Sequence, residues 1–157
     1  KIYTYNCISA CIAYLGYEKG YTDYAEAAND IEITEKIKRI AEVINRCITT
    51  VYNVSMQEQT AFSEMAIRKF QNRNIKDTVA RNVRDVERKL KPEERIRKPL
   101  SLMQEQGEYS RELLEVLAAA LRYGMKTKEL SQDWDKLVDF YTQGMCEEWK
   151  QVLHRCK

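Results

Sequence analysis

The chain has one histidine, two prolines and five glycines in 157 residues, and no cysteine from Ile48 to Met145. So little Pro and Gly excludes a loop-rich or low-complexity chain and leaves long regular elements as the expected architecture. No apolar run approaches the roughly 18 to 20 residues of a membrane span, since the longest, Val116 to Leu121, is flanked by Glu115 and Arg122. A single His excludes an HExxH pair, and no Gly-rich phosphate loop or GxSxG turn is present. Cys7-x3-Cys11 is half of a zinc site without a second CxxC or a second His to complete it. His154 reads as a dipole partner at a helix C-terminus. The sequence therefore assigns no catalytic, cofactor-binding or metal-ligating residue, and it predicts a protein that acts by contact and is not an enzyme.

What is present is helical periodicity. Cys7, Ile8, Cys11, Ile12 and Leu15 place one amphipathic helix over about Thr4 to Tyr17. Ile33, Ile37, Ile40, Ile44, Cys47 and Val51 place a second over Asp30 to Tyr52. Ser55 and Glu58 form a capping-box pattern that opens a third helix, whose apolar phase breaks near Asn72-Arg73-Asn74. A further helix is expected from Arg73 to Lys91, on the stripe Ile75, Val79, Val83, Val86 and Leu90. Pro92 and Pro99 bracket a connection, and Ser101 is a candidate cap. Leu113 to Leu121 mark a run ending at Gly124, and one last helix extends from Ser131 to Cys156. The reading is all-α: a single compact domain over residues 1–157, a bundle of about five to seven amphipathic helices.

Net charge is +2, yet residues 68–98 hold twelve basic against five acidic side chains. On a helix from Arg73 to Lys91, the side chains of Arg73, Arg81, Arg84, Arg88 and Lys91 fall within about 80° of one another, opposite the apolar stripe. That row is the candidate anion or partner surface, suited to sulfated glycan or to an acidic protein face. Without interleaved aromatics it does not read as a sequence-specific nucleic-acid binder. Six of the ten tyrosines fall within the first 24 residues, which reads as boundary packing with the hydroxyls in water.

The cysteines predict an oxidising compartment. Cys7 and Cys11 lie one turn apart with roughly parallel side chains, so each needs a distant partner. Cys146 and Cys156 are about 15 Å apart along one helix, too far to pair. The leading assignment joins Cys7 to Cys47 and Cys11 to Cys156, with the partners of Cys7 and Cys11 exchanged as the alternative, and leaves Cys146 as an unpaired thiol. A start on Lys-Ile-Tyr-Thr-Tyr without Met is what removal of a signal peptide produces, and Asn53-Val54-Ser55 is an N-glycosylation sequon.

Taken together, Cys7, Cys11, Cys47, Cys146 and Cys156 on helix faces, the Tyr-rich start and the Cys-Lys terminus resemble the small all-helical secreted proteins of blood-feeding insect saliva. The resemblance implies a secreted, extracellular effector that binds a host protein or receptor and modulates immune or haemostatic responses; separately, the Ile33–Val51 seam lasts under three heptads, which favours a monomer over a dimer, and the residues call for no cofactor. Two other readings stay open. Trp134, Tyr141 and Trp149 would line a core that carries a small apolar ligand, or the chain is an intracellular helical adaptor with free thiols.

Overall fold

The computed structural model describes residues Lys1–Lys157. A π-turn over Ile2–Asn6 leads into α1 (Cys7–Glu18), followed by α2 (Tyr24–Asn29), α3 (Ile31–Tyr52), α4 (Met56–Phe70) and α5 (Val79–Val83). Then come α6 (Val86–Lys89), α7 (Arg97–Glu105), α8 (Arg111–Thr127), α9 (Trp134–Tyr141) and α10 (Glu147–His154). The only extended pairing is a lone bridge between Asp23 and Thr78. The all-helical expectation holds, with ten helices, several of them short, in place of the five to seven expected.

Side-chain caps set most of the helix starts. Asp23, Asp30, Ser55, Thr78, Ser110 and Asp133 each accept a hydrogen bond from the backbone N–H three residues ahead, satisfying one of the orphan donors of the first turn. The α3 stripe packs as its spacing requires: Ile33, Ile37, Ile40, Ile44 and Cys47 are buried, and only Val51 at its end is exposed. The core is one cluster of 43 buried residues. At its centre α1 packs against α2, α3, α5 and α8.

Four sequence expectations change. The stretch from Arg73 to Lys91 is not one helix: α5 and α6 are separated by Asp85 in the left-handed region at φ 66°. One long-range and one local hydrogen bond flank that break. The Tyr14 hydroxyl donates to the Val83 carbonyl oxygen at 3.0 Å, and Lys89 Nζ donates to the Asn82 carbonyl oxygen at 2.5 Å. Burial pushes the Lys89 ammonium down to about 8. Ile75, expected in the core, lies outside any helix and is exposed. α8 runs past Gly124 to Thr127, and Leu130 folds back onto the glycine, leaving no room for a side chain there. Pro99 sits in the first turn of α7, where its missing N–H costs nothing, and Ser101 lies inside that helix. The last helix is two, α9 and α10, with Gly144 at φ 85° between them.

The disulfide staples are also corrected. All five cysteines are free thiols: Cys7, Cys11 and Cys47 are buried, Cys146 is exposed and Cys156 lies between. The pairing of Cys7 with Cys47 and Cys11 with Cys156, and the exchanged pairing, assumed that a cysteine on an apolar stripe needs a covalent partner. Here the buried ones pack as small hydrophobes. Hydrogen bonding with Cys7 and burial push the Cys11 thiol well above the usual range, and Cys156 Sγ donates to the Val152 carbonyl oxygen at 3.1 Å.

Candidate functional site

The π-turn is the least ordinary backbone in the chain. The Asn6 N–H donates to the Lys1 carbonyl oxygen at 3.2 Å, five residues back, a widened turn of the kind that recurs at functional sites. Thr4 faces inward and is buried; its hydroxyl accepts a hydrogen bond from Gln59 Nε2 at 2.9 Å. Tyr5 faces the end of α4, with its ring 4.8 Å from that of Phe70. Phe70 in turn meets Tyr24 edge-on at 5.7 Å. The Tyr24 hydroxyl donates to the Ser9 carbonyl oxygen at 3.0 Å, and burial pushes that phenol far above its usual range.

The end of α4 is fixed just as firmly. Asn29 Nδ2 donates to the Gln71 carbonyl oxygen at 3.0 Å and Gln71 Nε2 donates to the Ala28 carbonyl oxygen at 3.1 Å. The segment that follows is tied back by the Tyr24 N–H to the Asp77 carbonyl oxygen at 3.1 Å and the Val79 N–H to the Thr22 carbonyl oxygen at 3.0 Å. Two segments far apart in sequence therefore meet with little freedom.

Two ammonium groups lie against the Tyr5 ring. Lys1 Nζ lies 5.6 Å and Lys69 Nζ 5.2 Å from the centroid of the Tyr5 ring, within cation–π reach. Neither has a carboxylate partner, nor do Arg68, Arg73 and Lys76 close by in sequence. Asn6 lies half-buried on the same turn, and its carboxamide is not used to cap α1. Unneutralised cations on and next to a turn that also carries an unengaged amide suit an oxyanion carried by a hydroxylated molecule, because the cations attract the charge and the amide both donates and accepts.

The sequence-predicted row is dispersed. Arg73 lies between α4 and α5, and Arg81 is paired with Asp77 at 2.5 Å. Arg84 follows α5, its Nε 3.4 Å from the Arg81 carbonyl oxygen. Arg88 pairs with Asp85 and with Glu94, and Lys91 follows α6. No common helix face presents the five together. Asn53 is the exposed C-cap of α3, at φ 51°. Trp134 is core, its indole N–H donating to the Leu153 carbonyl oxygen at 3.2 Å, and Tyr141 and Trp149 are buried too. His154 is held by Asp135 at 2.8 Å and Asp139 at 3.1 Å.

Sequence reasoning missed Lys1, Asn6 and Lys69. A π-turn has no period to detect, and Lys69 reads as an ordinary cation in the last turn of a helix. The Tyr-rich start was the visible trace, read only as packing.

Residues 1–154 match the family model described as the mannitol dehydrogenase C-terminal domain. The mannitol-1-phosphate 5-dehydrogenase of Caldanaerobacter subterraneus subsp. tengcongensis is 34% identical over 126 residues, 80% of this chain and 33% of the relative. The enzyme of the same name from Enterococcus faecalis is 29% identical over 139 residues, 88% of this chain and 36% of the relative. That of Shouchella clausii is 28% identical over 149 residues, 94% of this chain and 40% of the relative. The chain thus spans about a third of the length of the curated relatives it matches.

These likenesses overturn the resemblance to insect salivary proteins and, with it, the secreted, extracellular location, the host receptor or glycan partner and the immunomodulatory role. They also overturn the expectation of a protein that is not an enzyme, since the relatives are dehydrogenases by name. General character had stood in for a motif, and free thiols remove the main argument for secretion. With the match extending across every helix described above, this chain belongs to the mannitol dehydrogenase C-terminal domain family.

Proposed function

We propose that residues 1–157 form a single helical domain that binds the substrate of a polyol-phosphate dehydrogenase, with the π-turn and the end of α4 as its binding site. The observation that carries this reading is the convergence of Lys1 and Lys69 on Tyr5 beside Asn6. The two ammonium groups bind the phosphate of a sugar-alcohol phosphate such as mannitol 1-phosphate, and Asn6 orients a hydroxyl. Tyr5 and Phe70 form the rigid floor.

Oxidising a carbinol removes a hydride and a proton, and a nicotinamide nucleotide is the acceptor that such chemistry uses. The residues here do not fit that nucleotide's usual cradle. There is no strand leading into a Gly-rich turn, and the five glycines are scattered at positions 16, 20, 107, 124 and 144. The contribution of this domain is accordingly to bind and orient the polyol phosphate.

Titrating the chain with mannitol 1-phosphate, followed by amide NMR, tests the reading. Shifts are expected at Lys1, Asn6 and Lys69, and Lys1→Ala or Lys69→Ala should each weaken binding about tenfold, roughly 1.4 kcal/mol. Arg111→Ala on α8 serves as control. Binding that survives both lysine substitutions, or shifts confined to another face, refutes it.

A further inference from the structure

Behind the π-turn lies a chain of buried polar side chains that the substrate-binding reading leaves without a role. Gln59 Nε2 donates to Thr4 Oγ1 at 2.9 Å and to Asn45 Oδ1 at 3.0 Å. Asn45 Nδ2 donates to Ser63 Oγ at 3.0 Å, and Ser63 Oγ donates to the Thr60 carbonyl oxygen at 2.9 Å. Thr4, Asn45, Gln59 and Ser63 are 3%, 5%, 8% and 2% exposed, so no bulk water can replace a lost partner. An apolar set of similar volume would pack here at no polar desolvation cost. A fully satisfied buried network instead fixes one arrangement of the elements it joins.

What it joins is specific. Thr4 is the middle residue of the five-residue π-turn, whereas Asn45 lies in α3 and Gln59 and Ser63 in α4. α4 also carries Lys69, three turns further on. A wide turn is less favourable than the α-helix that could replace it, and rewinding it would rotate Lys1 and Asn6 relative to α1. The Gln59 carboxamide uses both of its N–H donors, one on the turn and one on α3.

We propose that Gln59 is a positioning residue: through Thr4 it holds Lys1 and Asn6 in register with Lys69, and Asn45 and Ser63 orient Gln59. The assignment of a substrate site to Lys1, Asn6 and Lys69 is the reading on which this rests. Gln59 touches no substrate and acts only through the turn.

The test separates the two. Hydrogen exchange of the unliganded chain reads the turn directly, without any ligand. In Thr4→Val, which keeps the shape and loses the hydroxyl, and in Gln59→Met, protection of the Asn6 amide should fall at least about tenfold while Leu117 in α8 is unchanged. Thr4→Ser should restore protection, and the Thr4→Val/Gln59→Met double variant should lose no more than either single one, as expected for one shared bond. Unchanged protection in Thr4→Val, or equal loss in Thr4→Ser, overturns the proposal. If Leu117 protection falls as well, Gln59 is an ordinary fold-stabilising residue and the proposal also fails. Mannitol 1-phosphate binding is then measured on the same proteins. The expected result is affinity weakened about tenfold in Thr4→Val and Gln59→Met and kept in Thr4→Ser, comparable to the loss of an outer-shell partner. A wild type that does not bind the phosphate refutes the substrate reading while the exchange result still decides the role of Gln59.

Discussion

The buried phenol of Tyr14 donates to the carbonyl oxygen of Val83 at 3.0 Å, across 69 residues of chain. That carbonyl belongs to the last residue of α5, where an α-helix leaves acceptors unsatisfied. The hydrogen bond therefore ends α5 from outside and docks the basic segment onto α1. Tyr14→Phe keeps the ring contact with Tyr123 at 5.9 Å but strands the oxygen. A loss of about 1–2 kcal/mol is expected, read as a fall in Tm of roughly 2–8 °C. An unchanged Tm would mean that α5 ends for local reasons.

Gly124 tests the course of α8. A Cβ there would lie 2.5 Å from both Cγ and Cδ1 of Leu130, so Gly124→Ala must displace a buried leucine despite improving helix propensity. Overpacking of this kind costs about 1–3 kcal/mol, and denaturant unfolding should show a lower midpoint at constant m. A rise in stability would place Leu130 elsewhere.

Two ionisable groups should set opposite pH limits. Burial alone would raise the Asp30 carboxyl, yet hydrogen bonds from the Ile33 N–H, the Lys19 ammonium and the Tyr21 hydroxyl hold it at about 2. Its contribution is thus present above the unfolded value of about 3.9 and lost as pH falls toward about 2. The His154 imidazole is held above its usual range, first by its bond to Asp135. Its contribution is complete below about pH 6.5 and lost as pH rises through the raised value. Asp30→Ala should cost about 1–2 kcal/mol as a lost cap and flatten the acid limb of a Tm–pH curve. His154→Gln should flatten the limb above pH 6.5, and parallel curves for wild type and variant would contradict either assignment.

Free thiols give a direct count. Protein purified without reductant and unfolded in guanidinium should react at five cysteines with a thiol reagent, and in the folded state Cys146 should react first because it alone is exposed. Each disulfide would remove two reactive thiols, a difference that is simple to detect by mass, and a count of one would restore the two staples.

The long amphipathic elements were legible in the residues themselves. α3 follows from six apolar side chains at steps of four and three; α4 follows from Ser55, whose Oγ accepts the Glu58 N–H at 3.0 Å. Such features depend on neighbours within one or two turns, so local chemistry suffices to specify them.

Tertiary contacts decided the rest. The local periodicity around Gly124 does not show that Leu130 will fold over it, and nothing near Asp85 shows that Tyr14 will hold a break where the apolar stripe runs on. The cysteine pattern could not distinguish a staple from a packed thiol, because burial of Cys7, Cys11 and Cys47 satisfies the same periodicity either way. The candidate site lies furthest from local reading. Lys1 and Lys69 come to the same Tyr5 ring only because a π-turn, hydrogen-bonded through Thr4 to Gln59, faces the end of α4. The sequence by itself determined which faces are apolar and where most long helices start; the packing of distant side chains decided where helices stop and which charges come together, since those energies exist only once the chain has folded.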